Sequence, residues 1–223
     1  MNDAPFSGLE AVVADDRFPE VDLQLRRGRH IGREDGLAYE FVADAQPFLE
    51  ELYRRYGCEL VRQSDGYFYL LPSNDRLGRR RLTVGEMLVG QTAALLYLDP
   101  ATLQHHGVVA RDAILQRLAA LIGADALVRA FHPRKRRVDE RVAAEAVRGQ
   151  TAEALRRLAD LGFVDSVDDA HVRLRPALLR FAEPVRGVQD RLAALEKLVA
   201  RGEAAFGDEP ADEEPRAEDE PAS

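Results

Sequence analysis

The sequence predicts an α+β fold, mostly α: two small domains, each closed by a β-hairpin, followed by a disordered acidic tail. Three observations carry this. A unit of helix, glycine, hairpin and proline occurs twice; a nearly apolar helix at residues 87–98 precedes the second copy; and all the net charge of −8 falls in the last twenty or so residues. At 223 residues and 24.8 kDa the chain has room for two cores of ordinary size.

The first hairpin is the clearest local signal. A helical face of Phe48, Leu49, Leu52, Tyr53 and Tyr56 follows Asp44, a candidate N-cap, with Pro47 in the first turn and Gly57 as the stop. CELVRQ and YFYLLP then flank Ser64, Asp65 and Gly66, a turn sequence between two β-prone runs, and Pro72 closes the second strand. In the second copy Ala154, Leu155, Leu158 and Leu161 make the face, Gly162 stops it, FVDSV and HVRLR flank Asp168 and Asp169, and Pro176 closes. The glycine-to-proline interval is 15 positions in one and 14 in the other. A helix running straight into a two-stranded hairpin is the second half of a winged helix, whose hairpin is the wing.

The rest of each copy follows. Further helices are expected near residues 8–16 and 20–27, with residues 28–32 (GRHIG) read as a helix-ending turn. Thr83 and Glu86 form a capping box opening a helix that runs to Asp99 and Pro100; its apolarity on nearly every side makes it central. Residues 107–110 are a short strand, and Ile114, Leu115, Leu118, Leu121 and Ile122 mark the next helix face. Residues 125–131 add a helical piece, and residues 139–161 form one long helix or two joined at Gly149. These elements place a first winged-helix domain at residues 1–80, a second at 81–185, an amphipathic helix at 186–204 and the disordered tail at 205–223.

Composition removes several function classes. The longest apolar stretch is well short of the roughly 20 residues a membrane crossing needs. The N-terminus carries acidic residues where a signal peptide is basic, which predicts a cytoplasmic protein. A single cysteine, Cys58, builds neither an intramolecular disulfide nor a multi-cysteine metal site. It starts a wing strand and reads as a small buried hydrophobe, although a Cys58-dependent enzyme remains a reading to be tested. His105, His106 and His132 lack metal-ligand spacing, and GRHIG lacks the GK[ST] ending of a phosphate loop. No catalytic constellation, metal or cofactor is expected.

The tail from Glu203 onward holds nine acidic residues against Arg216, so residues 1–202 are neutral with 30 charges of each sign. The acidity therefore says nothing against nucleic-acid contact by the folded part. Two basic clusters, one with Arg79, Arg80 and Arg81 and one with Arg134, Lys135, Arg136 and Arg137, are the candidates for DNA backbone contact, weak and independent of sequence. Asp165, Asp168 and Asp169 on the second wing would repel phosphates. In the first wing, alternation sends Tyr67 and Tyr69 to the face opposite Phe68, so with Tyr53 and Tyr56 they are the candidates for a protein interface.

Long collinear blocks also resemble the MukE family, small non-ATPase subunits of the bacterial MukBEF condensin. They are residues 23–32 (LQLRRGRHIG), 48–72 (FLEELYRRYGCELVRQSDGYFYLLP), 87–100 (MLVGQTAALLYLDP), 155–164 (LRRLADLGFV), 178–187 (LLRFAEPVRG) and 200–204 (ARGEA). The match spans nearly the whole chain and is weakest at residues 1–15, 132–138 and 165–169. The resemblance implies a tandem winged-helix "kite" subunit that dimerises and clasps the kleisin MukF. Through the kleisin it would reach the SMC ATPase MukB, to which the ATP hydrolysis belongs, and it would support chromosome condensation and segregation at the nucleoid. The competing reading is a free-standing tandem winged-helix regulator that binds DNA specifically by itself.

Overall fold

A computed structural model describes residues 5–74, 82–123 and 140–185, together with residues 127, 131, 194, 196, 197 and 199. The first half opens with α1 (Leu9–Val13) and α2 (Phe18–Arg26), the latter ended at Gly28 with φ of +84°. After β1 (Ile31–Gly32) and a 3-10 turn (Arg33–Asp35) comes α3 (Leu37–Arg55), then β2 (Cys58–Gln63) and β3 (Tyr67–Pro72). Helix α3 begins seven residues earlier than its expected N-cap. Phe41, Val42, Ala45, Leu49 and Tyr53 continue one buried stripe through Asp44 and Pro47, so the apolar period outweighs the local cap signal. Phe48 and Leu52 only flank that stripe, half-buried.

The second half opens with α4 (Val84–Leu98), whose Thr83 hydroxyl accepts from the Glu86 amide at 3.2 Å while the Glu86 carboxylate accepts from the Thr83 amide at 2.7 Å. Every residue of α4 from Met87 to Leu95 is buried, as its all-round apolarity requires. Then follow α5 (Pro100–Gln104), β4 (Val108–Ala110), α6 (Arg111–Ile122), α7 (Glu140–Asp160), β5 (Val164–Ser166), β6 (His171–Leu174) and a 3-10 segment (Pro176–Val185). Of the two readings for this stretch the single helix is the one found, over Glu140–Asp160, and Gly149 lies within it with open space beside its Cα.

Each half holds a three-stranded antiparallel sheet in which the last strand is central: β1-β3-β2 and β4-β6-β5. The repeat therefore extends to a short first strand, which the GRHIG sequence conceals: Ile31 pairs with Phe68 and Gly32 with Tyr67. Residues 28–32 are a helix stop followed by a strand, not a turn alone. The helix stops Gly57 and Gly162 both carry positive φ, +71° and +76°, a conformation favouring glycine.

Among the described residues there are two apolar cores. Phe6, Val12, Leu25, Ile31, Phe41, Leu49, Tyr53, Phe68 and Leu70 belong to the first. Leu88, Leu95, Ile114, Leu118, Leu155, Leu158, Phe163, Val172, Leu178 and Phe181 belong to the second, which also takes in Val199. Strand β3 serves both: Phe68 and Leu70 enter the first core, Tyr67 and Tyr69 the second. The two-fold period of the strand is what allows one strand to do this. Among the described residues no helix is long and apolar enough to cross a membrane.

Candidate functional site

The four tyrosines expected at a protein interface separate into three environments. Tyr53 is fully buried, and its hydroxyl donates to Asp22 Oδ1 at 3.1 Å; burial first, and Asp22 next, push its ionisation well above the ordinary range. Tyr56 alone stands at the surface, 39% exposed, with the Arg26 guanidinium 4.2 Å from its ring centroid. Arg26 is itself held by Asp22 at 2.8 Å, so α2 and the end of α3 present a preorganised cation and aromatic side by side. Tyr67 and Tyr69 are 2% and 5% exposed. The expectation that they face an external partner is corrected: their shared face is covered by the second half of the same chain. The basic candidates Arg79, Arg80, Arg81, Arg134, Lys135, Arg136 and Arg137 lie outside the described residues, as do the tail and most of residues 186–204.

What covers Tyr67 and Tyr69 is a buried polar and aromatic seam centred on His30. The His30 ring lies 5.2 Å from Tyr69, 5.9 Å from Tyr67 and 4.3 Å from Phe163, and Phe163 packs on Phe181 at 4.8 Å. Backbone and ring both bind the end of the second half's long helix: the His30 amide and Nδ1 lie 2.8 Å and 3.0 Å from the Leu161 carbonyl oxygen. Nε2 lies 3.0 Å from Arg180 Nη1. A guanidinium can only donate, so Nε2 accepts, Nδ1–H donates to Leu161, and the ring is neutral. Burial first, and then the Arg180 charge, bring its pKa down to about 3.

Charged groups line the same seam. Arg29 donates to the carbonyls of Ala159 (3.0 Å) and Asp160 (3.3 Å), placing a cation on the C-terminal carbonyls of α7. Arg175, only 3% exposed at its side chain, reaches Asp35 Oδ2 at 2.8 Å and Glu34 Oε2 at 4.0 Å in the first half, and Asp165 Oδ2 at 3.4 Å in its own. Asp35 also receives Arg29 at 3.1 Å and the Gly32 amide at 2.8 Å. Asp165 is thus partly engaged by Arg175, with about a third of its side chain still exposed. Asp168 accepts from the amides of Ala170 (2.7 Å) and His171 (2.8 Å) and faces His171 Nδ1 at 3.0 Å, which together hold its carboxyl below the usual range. On α7, Arg148 meets Asp112, Arg156 meets Glu153 and Arg157 meets Glu86.

These groups can bind and orient; their arrangement presents no nucleophile beside a base. Cys58 is buried, and burial raises its thiol pKa, the opposite of an activated thiolate. Among the described residues no three His, Cys, Asp or Glu side chains converge as a metal site would need. Sequence reasoning missed His30, Asp35, Arg175 and Arg180. The blocks GRHIG and LLRFAEPVRG, about 150 positions apart and joined by folding, carry His30 and Arg180, while Asp35 and Arg175 lie just outside them.

A family model described as the MukE-like family matches residues 7–223. A curated relative from Histophilus somni, named chromosome partition protein MukE, is 38% identical over 203 residues, covering 88% of this chain and 81% of its own. One of the same name from Actinobacillus succinogenes is 37% identical over 217 residues, covering 96% and 88%. A third, from Pectobacterium atrosepticum, is 34% identical over 199 residues, covering 88% and 85%.

Proposed function

The chain belongs to the MukE-like family, and on that premise we propose that it is a chromosome partition subunit, a non-catalytic adaptor of a MukBEF-type condensin. The observation that carries the reading is the match along residues 7–223, which takes in both halves and the tail rather than a single motif. In this reading the chain dimerises, holds the kleisin MukF, and reaches the ATPase MukB through the kleisin. Its place of action is the cytoplasm, on the nucleoid.

The repeated order of short strand, helix and hairpin supports two winged-helix domains, each sheet ending on a central strand. Of the four tyrosines first considered, Tyr56 with Arg26 is the surface proposed for protein contact, because an exposed aromatic fixed by a stacked guanidinium costs little entropy to bury. DNA contact is proposed at the two basic clusters, through the phosphate backbone only. The recognition-helix role that a free-standing regulator needs finds little support on α7, where Arg148, Arg156 and Arg157 each meet a carboxylate. The test is deletion of the gene. The expected result is anucleate daughter cells and decondensed nucleoids, restored by the intact chain; normal partition without it would refute the reading.

A further inference from the structure

We propose that residues 28–32, closed on Gly162 and held by Arg175 and Arg180, form a clasp that fixes one angle between the two halves, so that they move and unfold as one body. The inference stands on the seam alone and does not depend on the condensin reading.

The contact is backbone to backbone at its centre. A Cβ on Gly162 would overlap the carbonyl of His30, and one on Gly28 would stand 3.7 Å from the Leu161 side chain. Gly162 also needs its φ of +76°, so a single position supplies both the helix stop and the close approach. Around it the two halves bond to each other's polar groups. The first half caps the end of α7 through Arg29 and His30, and the second satisfies Asp35 through Arg175 and His30 Nε2 through Arg180. The Arg180 guanidinium also lies 4.0 Å from the Tyr69 ring centroid, tying the 3-10 segment after β6 to β3.

Two kinds of interaction divide the work. The aromatic stack of Tyr67, Tyr69, His30, Phe163 and Phe181 continues the second core, so separating the halves would expose it to water. The buried Arg175 contacts add little net stability after desolvation, yet they tolerate only one relative placement of Asp35 and Asp165. Burial holds the halves together, and the ion pairs choose the angle.

The test uses the full chain with spin labels at Val13→Cys and Val167→Cys, one exposed position in each half, in a Cys58→Ala background and in excess unlabelled chain. The intact clasp should give one narrow distance distribution and a single urea transition by every probe. Gly162→Ala and Arg175→Met should each give a distribution at least about twice as wide, with two separate transitions. Gly123→Ala also places a side chain at positive φ (+79°), with open space around it, and should leave both readouts unchanged. A broad distribution in the intact chain would overturn the clasp, whether or not the variants fold. So would distributions in Gly162→Ala and Arg175→Met as narrow as in the intact chain.

Discussion

Acid should loosen this protein through His30, beginning as pH falls below 6.5. The neutral ring donates to Leu161 and accepts from Arg180, and Arg175 and Arg29 add positive charge nearby among the rings of Tyr67, Tyr69 and Phe163. Its native pKa of about 3 lies below the ordinary 6.5. As pH falls, the unfolded chain therefore binds the proton first. The His30 contribution is complete above pH 6.5 and is lost progressively toward pH 3. At about 1.4 kcal/mol per unit, going from pH 7 to pH 5 costs about 2 kcal/mol. With an m-value of about 2 kcal/mol/M this moves the urea midpoint by about 1 M. Asp15, whose carboxyl Arg17 holds at about 2, titrates below its ordinary 3.8, so its own loss of stability falls outside this interval. The assay is urea unfolding at both pH values for the intact chain and for His30→Gln, whose amide can donate and accept in the same places without titrating. An equal loss in the two proteins would refute the reasoning.

Four further outcomes are expected. Tyr53→Phe removes the bond to Asp22 and should lower stability by about 1 to 2 kcal/mol in urea unfolding while leaving kleisin affinity unchanged. Tyr56→Ala should do the reverse, weakening the kleisin complex about tenfold by titration calorimetry with little change in stability. Thr83→Ala breaks the capping box of α4 and should cost about 1 kcal/mol, read from the same unfolding curves. Deleting residues 207–223 should raise affinity for duplex DNA at low salt only, in a shift assay at two ionic strengths; no gain at low salt would show that the acidic tail does not compete for basic surface.

The parts legible in the sequence are those decided by near neighbours. Both hairpins, the Thr83 and Glu86 box and the stops at Gly57 and Gly162 depend on residues within a few positions of one another. Asp44 misled for the same reason: it has the right chemistry for a cap, but Phe41, Val42 and Ala45 bury with the rest of α3, and tertiary packing overrode the signal. Strand β1 has two residues, too few to show a period, and exists only because β3 pairs with it. Alternation placed Tyr67 and Tyr69 on one face correctly; nothing local says that this face meets Phe163 and Arg180 rather than another protein. His30 was illegible for a related reason, since its acceptor and its donor come from residues 161 and 180.

The most direct measurement is size-exclusion chromatography with light scattering on the intact chain, alone and mixed with the kleisin from the same genome. The account predicts a dimer that gains the kleisin's mass and holds DNA only weakly and salt-sensitively. A chain that ignores the kleisin and binds one duplex sequence in high salt would contradict it.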